Sequence, residues 1–178
     1  MLRSLHQLLD PLPARPDRTT MKFRQTLVVG LGSPHGDDQA GWLATDALAQ
    51  RFPPNDPVLR KANSASELLD WIDGVGRLII VDACLGLNRP GEFRCWRWPH
   101  RAMAIGKWAG SHDMPLAAVL DLAHRLGRLP PRVEVWGIQS GEQQLGDDLS
   151  AAVRDALPYL VDAIVESLHE VTPCTNDH

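Results

Sequence analysis

Asp37 and Asp38 close a glycine-rich stretch, Asp82 interrupts an apolar run, and His112 lies between Ser111 and Asp113. Two carboxylates and an imidazole make an oxygen, oxygen, nitrogen set suited to a borderline divalent transition metal, provided the fold brings three separate segments together.

Each residue also has a plainer reading. Asp37 or Asp38 can cap a helix, where a carboxylate favours the positive end of the dipole. His112 can be a solvated neighbour of a cap, and His35, in the first glycine loop, stays outside the core set because loop histidines are commonly solvated. Asp82 is harder to explain that way. An acid at the end of Leu78-Ile79-Ile80-Val81 needs a partner or solvent to offset its desolvation, and a bond to a loop is the structural alternative.

The elements that must position these groups follow from periodicity. Residues 26–30 (TLVVG) read as a strand, the glycines at 30, 32 and 36 as a loop, and Trp42, Leu43, Ala47 and Leu48 as a helix. Residues 58–62 are a strand candidate, and Ser64-Ala65-Ser66-Glu67 is a capping box that starts a second helix. Residues 77–84 (RLIIVDAC) predict a central parallel strand with both faces covered and Asp82 at its carboxyl end. Residues 92–98 alternate, with Phe93 and Cys95 on one face and Trp96 and Trp98 on the other, as in an edge strand or a hairpin arm; residues 99–110 read as a loop. Helical spacing returns at Leu116, Val119, Leu120, Ala123 and Leu126, placing His112 near a helix start. Residues 133–138 are the last strand, and residues 149–168 a closing helix that Pro158 kinks or divides. Strands alternating with helices predict an α/β fold, a mostly parallel twisted sheet with helices on both faces in a three-layer sandwich.

Composition narrows the function. The 178 residues suit one domain, with 44% hydrophobic and 22% charged residues. The net charge of -4 argues against nucleic acid or an anionic membrane as partner. Three cysteines without a C-x-x-C pair suggest neither a disulfide framework nor a cysteine zinc site, and a cytoplasmic setting is expected. No apolar run is long enough for membrane insertion. Residues 1–20, with three prolines and three arginines, read as a disordered or mis-assigned extension ahead of a single domain over residues 21–178. The chain holds no G-x-S-x-G elbow and no H-E-x-x-H helix. The glycine loop superficially matches a dinucleotide fingerprint, but the ribose-binding acid expected about 20 residues further on is replaced by Lys61, Ala62 and Asn63.

The segments VVGLGSPHGDDQAG, IIVDAC, GSHDM, VEVWGIQ and LGDDLSAAV, in that order, resemble the hydrogenase maturation endopeptidases over roughly residues 26–168. The resemblance implies a cytoplasmic peptidase that removes a C-terminal extension from the precursor of a nickel-iron hydrogenase large subunit after nickel insertion. By matching motifs, Asp38, Asp82 and His112 would be the catalytic and metal-binding residues, facing nickel supplied by the substrate; other divalent metals could take the site in vitro. Nickel would serve as recognition tag and Lewis acid. Ser33 and Gln39 depart from the family's usual Asn and Gly. Trp96, Trp98 and Trp108 are candidates for a partner surface or for the core. The competing functions are a nickel-dependent maturation chaperone without cleavage and a nucleotide-binding enzyme using the glycine loop.

Overall fold

A computed structural model describes residues 25–100, 107–108, 114–141 and 148–169. The expected extension over residues 1–20 and His112 lie outside the described residues. Among the described residues, six strands form one sheet: β1 (Thr26–Leu31), β2 (Val58–Ala62), β3 (Arg77–Leu85), β4 (Phe93–Arg97), β5 (Lys107–Trp108) and β6 (Arg132–Gln139). Five stand in the order β2-β1-β3-β6-β4, and β5 pairs with the end of β3. The first four in that order run parallel, whereas β4 runs antiparallel to β6 and β5 antiparallel to β3. The short β5 falls in the stretch read as loop. Two residues carry too little periodicity to reveal a strand, and β5 exists because β3 outruns β1 and offers a free flank at Cys84 and Leu85.

Among the described residues, four helices cover the sheet: α1 (Ala40–Ala49), α2 (Leu68–Trp71), α3 (Leu116–Arg125) and α4 (Ala151–His169). Side-chain alternation along the buried strands sorts the core into two layers. Leu78 and Ile80 of β3 pack with Leu68 of α2 and Leu116, Val119 and Leu120 of α3. Ile79 and Val81 pack with Ala44 and Leu48 of α1 and Val153, Leu160 and Ile164 of α4. The three-layer α/β architecture follows from that division. Trp96 and Trp98 join the first layer, so they serve the core.

The capping box at Ser64 forms as expected, although it opens a 3₁₀ turn that becomes only one turn of α2. Pro158 does not divide the closing helix. It lies on the solvent-facing side, as does Arg154, whose carbonyl loses its intrahelical partner there and can turn to water. Cys84 is free and buried, while Cys95 is disulfide-bonded, a link that the cysteine spacing did not suggest. No described helix is long and apolar enough to cross a membrane.

Candidate active site at the sheet's switch point

From β1 the chain passes through α1 to β2 on one side, then returns across β1 to β3 on the other. The crevice beyond the carboxyl ends of β1 and β3 is therefore the point at which strand order reverses, the usual ligand position in open α/β sheets. Asp38 lies in the loop leaving β1, and Asp82 lies on β3. Asp82 is not the last residue of its strand, because β3 continues to Leu85. It is the first residue beyond Val81, where the pairing of β3 with β1 stops.

Close backbone packing draws the two together. A Cβ on Gly41 of α1 would meet the carbonyl oxygens of Leu31 at 2.2 Å and Val81 at 2.4 Å, and one on Gly30 would meet the Gly41 oxygen at 2.1 Å. Only glycine lets the start of α1 rest on β1 and β3 in this way. Gly32, at φ 148°, packs so closely against the Asp38 carbonyl that a Cβ there would come within 1.9 Å of its oxygen. Gly30 and Gly32 thus make room for the protein's own backbone, a use of glycine that calls for no pyrophosphate. Gln39, one of the departures from the family loop, donates its amide to the Gly36 carbonyl at 2.9 Å and closes that turn.

Asp82 is 1% exposed, and neither carboxylate oxygen has a hydrogen-bond partner; Asp38 Oδ1 is likewise buried and unpartnered. Burial, and next the charge of Asp38, push the Asp82 carboxyl well above the usual range, while the Ala83 amide opposes the shift without completing a hydrogen bond. Buried polar atoms normally find partners, so three orphaned carboxylate oxygens at one crevice mark a place for something outside the chain. Oxygen donors with negative charge fit a divalent cation. Among the described residues no cluster of three metal-ligating side chains forms.

Neither acid of the pair caps a helix; the residues preceding the 3₁₀ turn Gly36–Gln39 and α1, His35 and Gln39, make no side-chain cap. Asp37 and Asp38 instead divide. Asp37 accepts the Gly141 N–H at 2.7 Å, the Ser150 N–H at 2.7 Å and the Ser150 hydroxyl at 2.9 Å, tying the first loop to residues beyond β6 and before α4. Ser150, whose hydroxyl also accepts the Val153 N–H at 3.3 Å, was not among the expected site residues. Its signal was the ordinary one of a serine just ahead of helical apolar spacing. Gln139, also unforeseen, is 9% exposed and accepts the Leu87 N–H at 2.7 Å, bracing the turn that follows β3.

The sequence profile of the hydrogenase maturation proteases matches residues 47–167, about two thirds of the chain. The chain belongs to the hydrogenase maturation protease family. The matched segment includes Asp82 and His112 and begins after the loop that holds Asp38. Among solved structures, the hydrogenase maturating endopeptidase HybD from E. coli is similar with a TM-score of 0.69 and 23% identity, covering 82% of this chain and 92% of that one. The [NiFe] hydrogenase maturation protease HybD from Thermococcus kodakarensis is 26% identical, with a TM-score of 0.63, over 82% of this chain and 99% of its own. A hydrogenase 3 maturation protease is 25% identical over 78% of this chain and 87% of its own, with a TM-score of 0.60. Nothing matches among curated protein sequences. This hydrogenase maturation protease therefore carries its carboxylates on the fold that its structural relatives share.

Proposed function

We propose that the chain is an endopeptidase that removes a C-terminal extension from the precursor of a nickel-iron hydrogenase large subunit, acting in the cytoplasm once nickel has been inserted. Family membership supports the peptidase activity. The observation that carries the nickel-dependent part is the orphaned state of both Asp82 oxygens and of Asp38 Oδ1 at the switch point. On this reading Asp38 and Asp82 supply oxygen ligands to nickel that the precursor already holds, and His112 supplies a nitrogen ligand by its place in GSHDM. Substrate nickel supplies a recognition tag and a Lewis acid, so cleavage is metal-assisted. The chain's own contribution is to bind and orient: two fixed carboxylates set where the loaded centre docks, and hence where the scissile peptide lies.

Cleavage of nickel-loaded and nickel-free precursor, followed for wild type and for Asp38→Asn, Asp82→Asn and His112→Ala, tests the reading. Wild type should cut only the loaded precursor, and each variant should lose at least about 100-fold in rate. Cutting of nickel-free precursor would overturn the metal requirement, and binding of loaded precursor without cutting would point to a maturation chaperone.

A further inference from the structure

Asp37 offers a further role, resting on the reading of the site just given. Both oxygens of its carboxylate are engaged with one distant part of the chain. Oδ2 accepts from the Gly141 N–H at 2.7 Å and the Ser150 hydroxyl at 2.9 Å, and Oδ1 accepts from the Ser150 N–H at 2.7 Å. These donors come from positions 104 and 113 residues further along the chain. Ser150 in turn holds the first turn of α4 through the Val153 and Arg154 N–H groups. Gly141 follows Ser140, whose N–H donates to the Cys84 carbonyl at 3.0 Å, two residues beyond Asp82 on β3. A Cβ on Gly141 would stand 3.4 Å from the Asp37 carboxylate and 2.9 Å from the Ser150 hydroxyl, so the three groups are closely fitted.

The loop bearing Asp38 is therefore fixed from two directions. Gly32 packs against the Asp38 carbonyl on the β1 side, and Asp37 anchors the adjoining residue to the chain that leaves β6 beside the end of β3. We infer that Asp37 is a positioning residue that sets where the Asp38 carboxylate stands against Asp82. The division of labour has a chemical logic. Asp38 keeps an unpartnered oxygen for an incoming cation, whereas the Asp37 oxygens are filled by backbone and hydroxyl donors.

Asp37→Asn keeps the size of the side chain but turns an amide NH₂ toward groups that are themselves donors. The test measures Ni²⁺ affinity of the purified protein by calorimetric titration, alongside kcat and KM on nickel-loaded precursor. Glu134→Gln is the control, because it perturbs a buried charge at the amino ends of the strands, remote from the crevice. Asp37→Asn is expected to weaken Ni²⁺ binding by about 10- to 100-fold and to raise KM, with Ser150→Ala shifting both in the same direction by less. Glu134→Gln, although destabilised, should keep wild-type affinity. Wild-type affinity and kinetics in Asp37→Asn would overturn the inference while leaving the reading of Asp38 and Asp82 intact, as would an equal loss in Glu134→Gln. Failure of the wild type both to bind Ni²⁺ and to cut loaded precursor would overturn the reading of the site and this inference with it.

Discussion

Asp82 stands on β3 next to Asp38 from the β1 loop, with both Asp82 oxygens buried and no hydrogen-bond donor satisfying them. Such a pair is costly to the fold in isolation. Burial and the neighbouring negative charge hold the Asp82 carboxyl well above its ordinary value of 3.8. In the folded protein this group keeps its proton at pH values where the unfolded chain has lost it. Its contribution to stability is thus full below 3.8 and is lost as pH rises through the raised folded value. Asp82→Asn, which cannot ionise, should raise stability at neutral pH by roughly 1 to 3 kcal/mol and do little under acid conditions. Thermal unfolding at the two pH values checks this, and an equal change at both would contradict the assignment.

Gly41→Ala should be poorly tolerated. The added methyl would meet two backbone oxygens, those of Leu31 and Val81, at 2.2 and 2.4 Å, and backbone in a sheet yields little. A loss of about 1 to 3 kcal/mol or more is expected by urea denaturation, with peptidase activity falling further as α1 lifts from the strands. A variant of unchanged stability would show that α1 can shift freely.

The buried Glu134 carboxylate is 0% exposed and accepts from Arg77 at 2.8 Å and from Arg132, with the Ser167 hydroxyl at 3.2 Å. Glu134→Ala leaves guanidinium groups without their counter-charge and should cost about 3 to 5 kcal/mol. Disrupting the exposed Arg128–Asp73 pair by Asp73→Ala should cost no more than about 1 kcal/mol. Denaturation midpoints that failed to separate the two variants would refute this ranking.

Cys84 should be silent to thiol reagents in the native protein. Burial first, and then the charges of Asp82 and Glu92, push its thiol up to about 12, and it is 3% exposed. At about pH 8 the thiolate fraction is on the order of one part in ten thousand. Iodoacetamide labelling mapped by mass spectrometry should find Cys84 modified only under unfolding conditions; rapid native labelling would contradict its burial.

Much of the fold was legible in the sequence because the central strands are covered on both faces. The apolar run around residues 78–81 could be nothing but interior, and α3 buries Leu116, Val119, Leu120 and Ala123 as its spacing predicted, whereas Leu126, also in that pattern, falls just past the end of α3 and is 40% exposed. Asp82 was legible for the same reason, since an acid in such surroundings is conspicuous. The different fates of Asp37 and Asp38 were not legible. Both follow Gly36 in the same turn, and only the arrival of Gly141 and Ser150 from a distant segment distinguishes them. Nor could local patterning reveal β5, whose existence depends on how far β3 runs past β1.

The bond from Ser150 to Asp37 spans 113 positions of the chain, which has a bearing on the order of events during synthesis. A ribosome-bound chain can complete β1, its loop and β3 long before Ser150 emerges. Until then the Asp37 carboxylate lacks two of its three donors, and the neighbouring acid has no fixed station. On the proposed reading of the site, the carboxylate crevice of this peptidase is thus a late product of its own folding, withheld from a half-made molecule until the closing helix has docked.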